Sequence, residues 1–423
     1  MAVSIHNKVV CGPEEMPIPA HLSYGQFLFD KFKIGGDQIA QICGETGNSV
    51  TYRTILQKSV NLAVSLQELG LKKGDVVSLS SENRFEFTVA SLAVIYCGGI
   101  LSTLNVTYSP EEITHIFHIT KPKFIISSPI TAQNVYDCSK DLPYVKKIIL
   151  FGDYDVVPGL LYNDLIKKNV DIDSFTLVDV NGVDDIVAVM CSSGTTGLPK
   201  GVMLTHVNFL TLSAHMKYYL ETSQQRKKHK VINGLSLIPW FHAYGFISKL
   251  AIMCLNIQVV FLVRTGISHI RQGYGLTEVT MACCVDLTNG EKVGSCGTPA
   301  PGMRIKVLDI ETGQRLGPKQ EGELWIKSPL RMKGYMGDLQ ASEALIDSEG
   351  YVQTGDVGYY DEDGFFYIVD RLKELIKYKG FQVSPAKHLR GGVIFVEEIP
   401  KNPSGKILRR ELKKLLIKVK SKL

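Results

Sequence analysis

Cys191-Ser192-Ser193-Gly194-Thr195-Thr196-Gly197-Leu198-Pro199-Lys200-Gly201 is the stretch on which the fold turns. It follows residues 186–190, a short apolar run that reads as a buried strand. Glycines at 194, 197 and 201 permit tight curvature and close approach of the backbone to a ligand. Ser192, Ser193, Thr195 and Thr196 supply hydroxyls and consecutive N–H groups, a lining suited to a phosphate chain. Lys200 adds a cation on a long stem. The stretch is not a Walker loop, because Pro199 stands where that loop has its second glycine.

Outward from this loop, apolar runs alternate with helical patterns. Lys72-Lys73-Gly74-Asp75 turns into a strand at 76–79, and a helical stretch over 84–96 ends at Cys97-Gly98-Gly99. Ser109-Pro110-Glu111-Glu112 is a helix start, with proline in the first position and acids in the first turn. Residues 124–127 and 147–151 read as further short buried strands. Strand, helix, strand repetition predicts an α/β fold with largely parallel sheets. Residues 292–327 change character, and their glycines, prolines and alternating Val/Ile positions predict an antiparallel ribbon. Residues 407–419 carry apolar positions at helical spacing.

Composition narrows the function classes. At 423 residues the chain is too long for one hydrophobic core, so two or more domains are expected. Net charge is +5, but residues 401–423 hold nine Lys/Arg against one acid, leaving residues 1–400 at −3. The basicity is therefore a tail rather than a nucleic-acid-binding face. Nine scattered cysteines without C-x-x-C spacing argue against zinc and for reduced thiols. The pair His115 and His118 reads as packed or solvated on one helix face. The most apolar run, 246–263, contains Lys249, Asn256 and Gln258, which predicts a buried helix and strand and no transmembrane segment. Ser421-Lys422-Leu423 matches the address read by the peroxisomal import receptor, so a peroxisomal location is expected.

Further motifs accompany the loop at intervals. Gln272-Gly273-Tyr274-Gly275-Leu276-Thr277-Glu278 joins an aromatic ring, a hydroxyl and a hard carboxylate oxygen of the kind that binds Mg²⁺. Thr354-Gly355-Asp356 places a carboxylate just after a glycine, and Asp370-Arg371-Leu372-Lys373-Glu374-Leu375-Ile376-Lys377 follows it. Pro403-Ser404-Gly405-Lys406 comes near the end of the chain. Together these resemble the adenylate-forming (AMP-binding) superfamily, in its acyl-CoA synthetase, 4-coumarate–CoA ligase and beetle luciferase branch.

The resemblance implies a large N-terminal adenylation domain, residues 1–369, of mostly parallel sheets flanked by helices with a β-rich subdomain. A small truncated α+β C-terminal domain, residues 370–423, follows about a hinge at Asp370. It implies that ATP is bound by Ser192, Ser193, Gly194, Thr195, Thr196, Gly197 and Lys200, by Gly273, Tyr274, Gly275 and Thr277, and by Asp356 and Arg371 at the ribose. Glu278 and Thr196 would hold Mg²⁺, Lys406 would bridge the substrate carboxylate and ATP, and Lys377 would serve attack by coenzyme A. His242, in Pro239-Trp240-Phe241-His242-Ala243-Tyr244-Gly245-Phe246, matches the substrate-gate motif or else packs in the core. Luciferases usually have a second histidine beside the first, and Ala243 tilts the expectation toward a fatty or aryl acyl-CoA synthetase.

Two stretches of the family pattern are missing, near 264–266 and near 386–387. Lost strands expose sheet edges, and a C-terminal remnant of about fifty residues buries little core. Three outcomes follow from the sequence: an acid–thiol ligase, a luciferase-like monooxygenase acting on the adenylate, or a shortened isoform that binds nucleotide without completing catalysis.

Overall fold

The computed structural model describes residues 3–152, 157–192, 198–222, 233–236, 238–261, 273–286, 292, 294–372, 376–378 and 381–383. Its centre is an eight-stranded sheet in the order Gly334–Tyr335, Lys200–Thr205, Ile186–Ser192, Ile100–Leu104, Val76–Ser80, Phe124–Ser127, Lys147–Leu150, Leu160–Leu161. From Ile186–Ser192 onward every pairing is parallel. The first two strands are antiparallel additions at one edge. The α/β reading is met, and its physical cause is visible in burial. The strand Val76–Ser80 and the strand Phe124–Ser127 are buried at every position, as strands covered on both faces must be.

The helix Phe85–Tyr96 is buried from Phe87 to Tyr96 because it is apolar on all sides, so neighbours must cover it completely. Its neighbours include the helix Tyr52–Glu68 and a second, four-stranded sheet formed by Asn233–Ser236, Gln258–Phe261, Ile39–Cys43 and Ser49–Thr51. The helix Pro110–Thr120 starts at Ser109 with both halves of a capping box, Ser109 Oγ accepting from Glu112 N and Glu112 Oε2 accepting from Ser109 N. The apolar run 246–263 resolves into the helix Ala243–Met253 and the strand Gln258–Phe261. No helix among the described residues is long and apolar enough to cross a membrane.

A six-stranded antiparallel sheet forms the second half: Ser4–His6, Val9–Cys11, Arg304–Leu308, Gly322–Lys327, Val352–Tyr360 and Phe366–Arg371. The ribbon expected within 292–327 is its Arg304–Leu308 and Gly322–Lys327 pair. Asp370 lies inside the last strand, opposite Val357, so this sheet runs past residue 369. A three-stranded sheet of Gly273–Leu276, Met281–Val285 and Thr298–Pro299 stands between the halves in sequence. Gly297 is required there: its φ is +97°, and a Cβ would sit 2.0 Å from the carbonyl carbon of Val285. The last described element is a hairpin, Ile376–Tyr378 with Phe381–Val383, which pairs with none of the other sheets. The helix expected over 407–419 and the address at 421–423 lie outside the described residues.

Candidate nucleotide site

The strands that flank the loop quoted first, Ile186–Ser192 and Lys200–Thr205, pair antiparallel with Ser192 opposite Lys200. Ser193, Gly194, Thr195, Thr196 and Gly197 themselves lie outside the described residues. At the loop's exit His115 Nε2 lies 3.1 Å from the carbonyl oxygen of Pro199, which ties it to the helix Pro110–Thr120. His118 takes a different partner, Tyr144, so the two histidines do not act as a pair. On the entry side the parallel neighbour supplies Thr103, whose hydroxyl donates to the Phe241 carbonyl at 2.7 Å. That bond sets the His242 turn at the carboxyl ends of two parallel strands, where open α/β sheets bind ligands.

His242 caps the helix Ala243–Met253: it is exposed, and its Nδ1 accepts the N–H of Tyr244 at 3.2 Å. The packed-core alternative is thus excluded by its exposure. Gly245 makes this tight entry possible, since a Cβ there would meet the Pro239 carbonyl oxygen at 2.3 Å.

Two clusters then converge from the later motifs. In the first, Tyr274 donates its hydroxyl to Asp356 Oδ2 at 2.7 Å, and Arg371 Nε donates to Oδ1 of the same carboxylate at 2.9 Å. Asp356 is only 9% exposed, so its charge is held by these donors rather than by bulk water. Gly355, at φ +69°, turns the chain so that Asp356 N can reach Thr354 Oγ1. Burial and the Asp356 charge push the Tyr274 phenol well above its ordinary value, which keeps it a donor. Each carboxylate oxygen retains a second lone pair, so ribose hydroxyls can still donate to it.

In the second cluster Glu278 sits in a one-turn helix, Thr277–Val279, directly after the strand Gly273–Leu276. Gly273 and Gly275 lie exposed on that strand, and Thr277 is half-buried. Tyr335 donates its hydroxyl to Glu278 Oε1 at 2.9 Å. Burial, followed by the Glu278 charge, pushes the Tyr335 phenol up as well. Lys200 Nζ stands 4.5 Å from the centre of the Tyr335 ring and 3.9 Å from Asp338 Oδ2. Glu278 Oε2 takes no hydrogen bond from a described residue, leaving a hard oxygen of the type that binds a cation jointly with substrate phosphates.

The structure therefore makes two groups through named contacts, Tyr274 and Arg371 on Asp356, and Glu278 and Lys200 on Tyr335. Lys377 is in the strand Ile376–Tyr378, opposite Gln382, and its hairpin makes no ladder with the site. Lys406 lies outside the described residues. Tyr335 and Asp338 were not singled out by the motifs. Their only sequence signal is the Gly334-Tyr335-Met336-Gly337-Asp338 turn, too short to show a periodicity.

A mostly parallel α/β core whose sequence carries a phosphate-type loop, together with a carboxylate of the antiparallel sheet held by two donors, defines a nucleotide-handling enzyme. The chain belongs to the AMP-binding enzyme family, whose family model matches residues 31–266 and 255–336. It is 30% identical to a luciferin 4-monooxygenase of Photuris pensylvanica over 543 aligned positions, covering 98% of this chain and 99% of that protein. It is equally 30% identical to a 4-coumarate–CoA ligase of Humulus lupulus, covering 95% of each. The fold is similar to that of a luciferase-like enzyme from the nonluminescent Zophobas morio mealworm, with a TM-score of 0.77, 24% identity and coverage of 87% of this chain and 100% of that one. The first alignment has 543 positions against 423 residues here, so at least 120 positions have no counterpart in this chain.

Proposed function

We propose that this enzyme activates a fatty or aryl carboxylic acid with ATP, forming an acyl adenylate and pyrophosphate, and passes the acyl group to the thiol of coenzyme A with release of AMP. The observation that carries the reading is the Asp356 carboxylate held by both Tyr274 and Arg371, together with the cluster in which Tyr335 meets both Glu278 and Lys200. A carboxylate is a poor acyl donor until its oxygen is bonded to the α-phosphorus, and that step brings two anions together. Its barrier falls when positive groups and donors are fixed beforehand around the transferring phosphoryl group.

In this reading Asp356 accepts the ribose hydroxyls while Arg371 holds the carboxylate in place. Lys200 turns from Asp338 toward the phosphate chain, an exchange of one weak 3.9 Å contact for several phosphate oxygens. Glu278 and Thr196 would hold Mg²⁺, which when bound neutralises charge on the phosphates. Lys406 would meet the substrate carboxylate for adenylation, and Lys377 would serve thioester formation after rotation of the small domain. His242, exposed at the helix start beside Ala243, lines the entry for the acid.

A second reading is favoured by the missing 120 or more positions: a chain that binds nucleotide without completing turnover. Incubation with ATP, coenzyme A and a panel of fatty and aryl acids decides between them. Thioester formation with pyrophosphate release supports ligation, and light from luciferin without thioester supports the oxidative alternative. Pyrophosphate release no higher than in a Lys406→Ala control would leave only nucleotide binding.

A further inference from the structure

We propose that Tyr335 is the residue that holds Glu278 and Lys200 in working position, keeping two opposite charges close without letting them neutralise each other. The proposal rests on the reading of Glu278 and Lys200 as phosphate- and metal-facing groups. A tyrosine has two chemically different ends. Its hydroxyl donates to an anion, and its ring face attracts a cation through the π quadrupole. Tyr335 uses both at once: the hydroxyl lies 2.9 Å from Glu278 Oε1, and the ring centre lies 4.5 Å from Lys200 Nζ.

The backbone around Tyr335 is stitched to both of the elements it serves. Met332 N donates to the Glu278 carbonyl at 2.8 Å. Lys333 N donates to Met203 O and Met336 N to Gly201 O, so the segment is an added edge on the strand that begins with Lys200. Tyr335 N itself donates to Ser342 Oγ at 2.8 Å, and that hydroxyl in turn donates to the Asp338 carbonyl at 2.7 Å. The backbone that carries the side chain is therefore held by these bonds, and Tyr335 is 8% exposed. A structural tyrosine needs burial only. This one is buried with its two recognition surfaces directed at two charged side chains from separate motifs.

The consequence is geometric. With Glu278 held at the hydroxyl and Lys200 over the ring face, the two make no direct ion pair in the described structure, and each remains available to a nucleotide and its cation. Fixing one oxygen of Glu278 also orients the other, as hydrogen bonds to ligating carboxylates do.

The test separates the two ends of the side chain by measuring binding of a fluorescent ATP analogue, with Mg²⁺ titrated from zero in the presence of chelator. Tyr335→Phe keeps the ring and removes the hydroxyl. It should raise the Mg²⁺ concentration needed for half-maximal enhancement by about 10–100-fold, while chelator-only binding changes less than about threefold. Tyr335→Leu removes both ends and should also weaken chelator-only binding by about 3–30-fold, the range expected for a lost cation–π contact. Thermal denaturation without nucleotide shows whether each variant is folded, and Phe keeps the packing if Leu does not. Glu278→Gln should abolish the Mg²⁺ enhancement. If it does so while Tyr335→Phe titrates like wild type, the Tyr335 proposal is wrong and the reading of Glu278 stands. If Glu278→Gln leaves the enhancement intact, the underlying reading of Glu278 fails first.

Discussion

The helix His206–Thr222 carries two buried histidines that make opposite predictions for the same substitution. His215 is fully buried, and neither ring nitrogen has a hydrogen-bond partner among the described residues. Among the described residues its one ring contact is an edge-on approach to Tyr219, with centroids 6.5 Å apart. His206 is equally buried, but its Nδ1 accepts the backbone N–H of Tyr24 at 3.2 Å, one of the donors that a helix start leaves unpaired. His215→Leu removes unpaired polar atoms worth about 1–3 kcal/mol and loses a ring contact worth about 0.5–1.5 kcal/mol. A net gain of about 1 kcal/mol at pH 7 is expected. His206→Leu strands the Tyr24 N–H in the core and should cost about 1–3 kcal/mol.

Acid separates the reasoning further. Burial lowers both histidines from the ordinary 6.5 to about 4. Their folded values are depressed, so the stability they allow is complete above the unfolded value and is lost as pH falls through the folded one. Between pH 7 and pH 5 the unfolded chain takes up protons that the folded chain refuses, costing about 2 kcal/mol per histidine, and about 3 kcal/mol by pH 4. Two such residues remove a sizeable part of a typical stability of about 5–15 kcal/mol. Urea unfolding followed by Trp240 and Trp325 fluorescence at pH 7 and pH 5 measures this. His215→Leu should shrink the acid loss by about 2 kcal/mol. A variant as acid-sensitive as wild type, or destabilised at pH 7 by more than about 1 kcal/mol, would refute the account of His215 as an unpartnered, neutral core group.

The remaining predictions use the same logic elsewhere. Lys249 is fully buried with its amine on Thr88 Oγ1 at 3.1 Å and 4.1 Å from the Trp240 ring centre, and burial holds it well below the ordinary lysine range. Lys249→Met should stabilise by about 1–3 kcal/mol in urea melts and abolish the rise in stability that wild type shows as pH climbs toward the ordinary lysine value. Asp356→Asn should weaken nucleotide binding by about 10–100-fold, the loss of charge-assisted bonds, and should erase discrimination between ATP and 2′-deoxy-ATP in a competition titration. Gly297→Ala forces a Cβ against the Val285 backbone at positive φ, so a loss above about 3 kcal/mol is expected, visible as insoluble protein or a collapsed melting temperature. Ser109→Ala removes one half of a capping box and should cost about 1 kcal/mol in the same melts.

What the sequence made legible was whatever lies within one short segment. The strand before the loop, the Ser109 helix start and the buried run 246–263 each follow from local patterning, and the structure has them where the pattern places them. The motif residues were legible for the same reason. Their contacts were not. Tyr274 reads in sequence as the aromatic ring of its motif, yet its hydroxyl spans 82 residues to reach Asp356. Glu278 reads as a free carboxylate, yet Tyr335, 57 residues on, orients it. The element that brings Tyr335 there is a two-residue strand, Gly334–Tyr335, with no room for an alternating pattern. His242 shows the converse error of scale. Its motif suggests a site or core residue, while its immediate structural task is to cap the helix it precedes.

This division bears on the shortened chain. The contacts described around the candidate nucleotide site come from residues 103, 115, 200, 274, 278, 335, 356 and 371, which lie on both sides of the first expected gap. The proposed acid and thiol steps are different, since they would call on Lys406, outside the described residues, and on a C-terminal part whose last described element is a hairpin that pairs with no other described strand. Positioning to well under an ångström needs rigid supporting elements around a catalytic side chain. If the proposed reading holds, nucleotide binding and turnover should be separable in this protein by measuring affinity and rate on the same preparation.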